Sequence, residues 1–255
     1  NNGQAVESQY VARIGNQGYE TLQAAVDAVD DDAETTITLV KNSSGNGVKV
    51  PSGRNIIFDL NSYTYDINGE TVGSTGTETN GFQDSNITFK NGTVKSDKAI
   101  ILIQNYCNLI LENVKLDGTA TNNYVLSNNN GNTQLTGSTS IYAAAGNVAF
   151  DVCWWEESYP AGPHITVDTT GEIVGNIEFS QWKSNGSSVA TLTIQNGAFD
   201  GQFMVTGGEQ VTSKLGENVN IYGGSFSASY GDTLKDEYLA EGMDTYKKAD
   251  GTFTV

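Results

Sequence analysis

Basic residues are scarce in this chain: 13 Lys and Arg stand against 30 Asp and Glu, a formal net charge of −17 over 255 residues. A field of that sign repels nucleic acid, anionic lipid and polyuronate chains, so nucleic acid is excluded as an expected partner. Charge of either sign is thin, at 17% of residues, and Gly, Asn, Ser and Thr carry most of the polar share. That bias suits stacked strands joined by tight turns. With two cysteines, Cys107 and Cys153, no disulfide framework is implied. No run of about 18 apolar residues occurs, which excludes an apolar spanning helix, and no membrane insertion is expected. Asn1 in place of Met is expected of a mature or trimmed chain.

What is present is a repeat. Two apolar residues flanking a polar one recur as Ile37-Thr38-Leu39, Ile56-Ile57-Phe58, Ile87-Thr88-Phe89 and Leu109-Ile110-Leu111. The pattern returns at Thr133-Gln134-Leu135, Ile165-Thr166-Val167, Leu192-Thr193-Ile194 and Val219-Asn220-Ile221. Taking the last residue of each as a marker, the spacings are 19, 31, 22, 24, 32, 27 and 27. Period-2 alternation means short half-buried strands, and no helix-length amphipathic pattern lies between them, so βαβ units are excluded and solenoid coils fit. Two residues after the markers lie Asn91, Asn113, Gly137, Asn196 and Gly223, and five after lie Val94, Leu116, Phe199 and Phe226. This predicts a strand, a sharp bend with positive φ, and a second strand returning to the core. A second ladder runs in step through Leu102, Leu126, Phe150, Phe179 and Val205, at spacings of 24, 24, 29 and 26. The coils keep no leucine-rich-repeat consensus, and the hairpin turns of an up-and-down barrel are missing.

The ends predict caps. Leu22, Ala25, Val26 and Val29 have helical spacing and place an amphipathic helix over the first coil, whose open edge would otherwise invite strand pairing. A second short helix is expected over Asp232–Leu239, with Tyr238 and Leu239 packing downward, and a last strand at Thr252-Phe253-Thr254-Val255. The expected architecture is all-β: one right-handed parallel β-helix over residues 1–255, with an N-terminal strand and capping helix (1–36), coils (37–228) and a C-terminal cap (229–255). Cys107 and Cys153 then lie about two coils apart, roughly 10 Å, which is beyond disulfide reach and predicts two buried free thiols.

Several segments resemble known modules. Tyr19-Glu20-Thr21-Leu22-Gln23-Ala24-Ala25-Val26, followed by Ile37-Thr38-Leu39-Val40-Lys41-Asn42, is similar to the opening of pectate-lyase-like β-helix modules in large Gram-positive cell-surface proteins. Gly223-Gly224-Ser225-Phe226-Ser227, Tyr238-Leu239-Ala240-Glu241-Gly242 and Asp250-Gly251-Thr252-Phe253-Thr254-Val255 resemble the close of the same modules. Ala149-Phe150-Asp151-Val152 and Gly175-Asn176-Ile177-Glu178-Phe179 resemble parts of their middle. The resemblance covers nearly the whole chain through structural motifs. It implies an extracellular location, secreted or cell-wall associated, and an adhesin-like role in contact with a glycan or a host or cell-surface protein.

Residues decide between enzyme and module. A polyuronate lyase needs an Arg or Lys base beside cation sites, yet the only arginines are Arg13, ahead of the capping helix, and Arg54, at the turn Pro51-Ser52-Gly53. The Asn-Thr-Asp, Gly-His-Gly and Arg-Ile-Lys motifs of a polygalacturonase-like hydrolase are missing. The lone His164 reads as a turn residue before a strand. Paired carboxylates leave Asp151, Glu156 and Glu157, with Glu178 on the next coil, as the one route to hydrolysis. The stretch Asp151 to Pro160 interrupts the coil pattern and holds two of the three tryptophans. Trp154, Trp155, Glu156, Glu157, Tyr159 and Trp182 are the candidate ligand-binding residues, because rings beside carboxylates stack on a sugar face and accept from its hydroxyls. Tryptophans closing the side of a wide coil are the structural alternative. Asp30-Asp31-Asp32 with Glu34 lacks the alternation and Gly of a calcium loop and reads as a solvated turn. No catalytic residue, metal or cofactor is expected. The expected function is a non-catalytic extracellular surface module, structural or adhesive; the alternatives are a carbohydrate-active enzyme on the same fold and a bacteriophage structural protein.

Overall fold

The computed structural model describes residues 9–30, 33–68, 75–79, 85–120, 123–155, 162–181, 190–206 and 218–255. Within them the chain winds as a right-handed parallel β-solenoid. A 16-stranded sheet and a 7-stranded sheet enclose one continuous apolar core. Alternation builds both: in Asn108–Gly118, Leu109, Leu111, Val114 and Leu116 are buried while Ile110, Glu112 and Lys115 face out.

The first ladder forms with Phe58, Phe89, Leu111, Leu135, Val167, Ile194 and Ile221 in successive register. Like side chains therefore stack. The rings of Phe58 and Phe89 lie 4.5 Å apart, and those of Phe199 and Phe226 lie 4.8 Å apart. The first step differs from the expectation, since Ile37 pairs with Phe58 and Leu39 pairs with Ala12. Ile37 and Leu39 share a face, so a two-residue slip leaves the hydrophobic pattern unchanged. In the second sheet Leu126 pairs with Phe150 and Phe179 with Val205, as expected, but Ile103, not Leu102, meets Leu126. Phe150 meets Ile177, with a register shift between Val148 and Phe150.

Asn91 (φ 59°), Asn113 (φ 55°) and Gly137 (φ 64°) make the expected left-handed bends. In two later coils the left-handed residue falls one position further on, at Gly197 and Gly224. A row of amides absent from the sequence reading crosses the coils where the strands start. Asn86 donates to Asn55 (2.7 Å), Asn108 to Asn86 (3.2 Å) and Asn132 to Asn108 (2.9 Å). The backbone N–H of His164 ends the row on Asn132 (2.9 Å), so His164 opens the strand His164–Val174.

Both ends are closed. The hairpin Ala12–Ile14 and Gln17–Tyr19 runs antiparallel and adds to Thr38 and Leu39. The helix Leu22–Asp27 starts at Thr21, whose hydroxyl accepts from the Ala24 N–H, and buries Leu22, Ala25 and Val26; Val29 is buried just beyond it. At the far end the expected helix over 232–239 is a 3-10 turn, Asp236–Tyr238, preceded by another at Ala228–Tyr230. Gly231, Asp232 and Thr233 are poor helix formers. Tyr238 nevertheless packs down onto Phe203, and Phe253–Thr254 closes antiparallel on Ser225–Phe226. Both cysteines are free and buried.

Candidate functional site

The strand Val148–Trp154 is buried at every position, so its outward face is covered as well as its core face. Phe150 and Val152 join the core, whereas Asp151 and Cys153 alternate to the other side. Register brings two acids together: Asp151 lies opposite Glu178 on the neighbouring parallel strand, and Cys153 lies opposite Ser180. Asp151 is 3% and Glu178 5% exposed.

Their partners are neutral. Asp151 accepts from the Asn128 N–H (2.5 Å) and the Ser127 hydroxyl (3.2 Å), and Glu178 accepts from the Tyr124 hydroxyl (2.8 Å). Among the described residues neither acid has an ion pair, and no cluster of three metal-ligating side chains exists. Burial, opposed by the Asn128 N–H and reinforced by the Glu178 charge, pushes the Asp151 carboxyl up to about 7. Burial also raises the Cys153 thiol, with the Asp151 charge adding to it, and raises the Tyr124 hydroxyl together with Glu178.

Inside the coil a second polar group fixes the turn that leads out of the sheet. Asn128 donates to the Asp151 carbonyl (2.9 Å) and accepts from the Thr133 hydroxyl (2.5 Å). Asn105, in register with Asn128, donates to the carbonyls of Cys107 and Asn132, both at 3.0 Å. The next turn residue, Asn130, is left-handed (φ 59°); its N–H donates to the Cys153 carbonyl (2.9 Å) and its side-chain oxygen accepts from the Trp155 N–H (2.8 Å). The chain therefore leaves the sheet at Trp155 with its backbone held.

The two adjacent tryptophans separate. Trp154 is 1% exposed, its indole N–H without a hydrogen-bond partner among the described residues, and it acts as packing. Trp155 is 46% exposed. Glu156, Glu157, Tyr159 and Trp182 lie outside the described residues, as do Asp31 and Asp32, whereas Asp30 and Glu34 are exposed. The structure thus joins Asp151 to Glu178 and sets Trp155 at the end of that strand. Tyr124, Ser127, Asn128 and Asn130 are the members missed in the sequence.

Chemically, Trp155 offers a ring face to a ligand, and amide and hydroxyl groups line the turn beside it. The acids have donors already and little exposure. Compared with known proteins, the chain matches no family model, no curated protein and no solved structure.

Proposed function

We propose that this chain is a non-catalytic extracellular surface module, a rigid rod segment that meets a glycan through the surface around Trp155. One observation carries the reading: an exposed indole fixed by its backbone at the end of a polar strand face, beside a buried neighbour that does the packing. With its backbone N–H held by Asn130, Trp155 loses less entropy on stacking against a sugar than it would on a free loop. The secreted or wall-associated setting, and a host or cell-surface protein as the other kind of partner, rest on the resemblance to Gram-positive surface modules. A glycan-array screen of wild type and Trp155→Ala, with and without calcium, tests it. Specific binding of at least one glycan lost in Trp155→Ala supports a glycan site there; no glycan bound by the wild type, or every glycan it binds bound equally by the variant, refutes it.

A second reading, a glycoside hydrolase, is favoured by one fact: Asp151 and Glu178 stand in register, with Asp151 raised to about 7. An acid half-protonated at neutral pH beside a second carboxyl is the acid–base arrangement of such enzymes. Their burial counts against it, because a catalytic carboxyl must reach the glycosidic oxygen. Hydrolysis of any member of a polysaccharide panel, abolished by Glu178→Gln, would establish this reading over the first.

A further inference from the structure

We propose a second ligand site, independent of Trp155: a trough outside the asparagine bend of the larger sheet that binds a neutral oligosaccharide laid across the coils. Two adjoining hollows of about 560 and 650 Å³ share Thr93 and Lys115 and so form one depression. It crosses five coils, from Ser43 through Thr64, Thr93 and Lys115 to Ser138. At the usual strand spacing of about 4.8 Å that is about 19 Å of length.

Charge selects the occupant. In a chain of net charge −17, the trough is nearly balanced. Lys95 pairs with Asp66 (3.0 Å) and Lys115 with Asp117 (2.8 Å). The remaining carboxylate, Asp59, accepts from the Asn61 N–H (3.0 Å) and the Asn91 amide (3.3 Å). Each lysine is already neutralised by a carboxylate and each of those carboxylates by a lysine, so a ligand of either charge gains little from the pairs. An uncharged ligand disturbs neither pair.

Polarity narrows it further. Apart from the charged groups, the walls are amides and hydroxyls such as Asn61, Ser62, Asn91, Asn113 and Ser138, and the one aliphatic residue, Val114, is 1% exposed. Such a surface gains little from apolar burial, so a ligand must bring many groups that both donate and accept. Sugar hydroxyls do this. The Ser43 hydroxyl, on a residue of the trough wall, is buried without a hydrogen-bond partner among the described residues. The stacking distance of the coils is close to the length of one sugar in an extended β-linked chain, so successive sugars meet equivalent positions on successive coils.

Isothermal titration calorimetry with cello-, xylo-, manno- and chitohexaose, and with tetragalacturonate as the charged comparison, tests the proposal. Thr93→Trp blocks the junction of the two hollows from an outward-facing strand position, and Ser138→Trp blocks the exposed end. Either variant decides the matter provided its circular dichroism and urea midpoint match the wild type. At least one neutral hexaose should bind, weakened tenfold or more by the blocking variant and unchanged by Trp155→Ala. No binding to the wild type, binding unaffected by the block, preference for tetragalacturonate, or loss with Trp155→Ala alone would each overturn it.

Discussion

Replacing Asp151 by asparagine is expected to flatten the dependence of stability on pH between about 4 and 8. In the folded chain burial holds this carboxyl at about 7, against an ordinary 3.8. Between those values the unfolded chain has released the proton and the folded chain keeps it. The folded state therefore binds more protons, and stability falls as pH rises through the interval. Below about 4 both states are protonated and the penalty is absent; above about 7 it is complete, about 4 kcal/mol for this interval. The groups facing Asp151 are Glu178 across the strand pair, Cys153 on its own strand and Tyr124 one coil away, and none supplies a positive charge. The asparagine oxygen can still accept from the Asn128 N–H while its NH2 donates to the Ser127 hydroxyl, whose own proton turns to the Asn129 side chain, so the change removes the charge and keeps the shape.

The measurement is the urea-unfolding free energy of wild type and Asp151→Asn at pH 4.5, 6 and 8. The acids remote from this strand pair titrate in both proteins and cancel in the difference, which isolates Asp151 together with its coupling to Glu178. Asp151→Asn should gain on the wild type by about 3 kcal/mol between the first and last pH. A difference constant over the range, or one moving the other way, would show that Asp151 is solvated or compensated in the folded chain and would refute the reasoning.

Two further predictions rest on packing and backbone. Native protein should give no signal with a thiol reagent, and protein denatured without reductant should give two, because Cys107 and Cys153 are free and buried; a silent denatured sample would reveal a disulfide. Gly137→Ala should lower the urea-unfolding free energy by about 3 kcal/mol or more, since a Cβ at φ 64° would collide with the Asn113 side chain, whereas Gly53→Ala, at φ 77° in open space, should cost only about 1 kcal/mol. Equal losses for the two would mean that the bend relaxes around the added methyl group.

The larger sheet was legible because every coil carries an alternating pair and five of the eight markers are followed two residues on by Asn or Gly. Asn91, Asn113 and Gly137 bend the chain at that distance, and from Phe58 onward every marker meets the next in register. At Leu39 the reading slipped by two, because Ile37 and Leu39 share a face and the pattern alone does not choose between them. The smaller sheet lacks such a mark, and Val148–Trp154 is buried on both faces, so alternation could not name the outward side. That ambiguity left the register of the acid pair open, although Glu178 was placed on the coil next to Asp151. Aligning Phe150 with Phe179 sets Asp151 opposite Ser180, and only the true pairing of Phe150 with Ile177 brings it to Glu178. One signal was available for the tryptophans. Adjacent residues of an extended chain face opposite sides, so Trp154 and Trp155 must part, and the structure buries the first and exposes the second. Burial of the acids had no such signal, because it arises from coils dozens of residues apart in sequence: Tyr124 reaches Glu178 across 54 positions. Parity within a strand is local information, and the closure of an outer face is not, which is why the parting of the two tryptophans and the nearness of the two acids were within reach of the sequence and the burial of the acids was not.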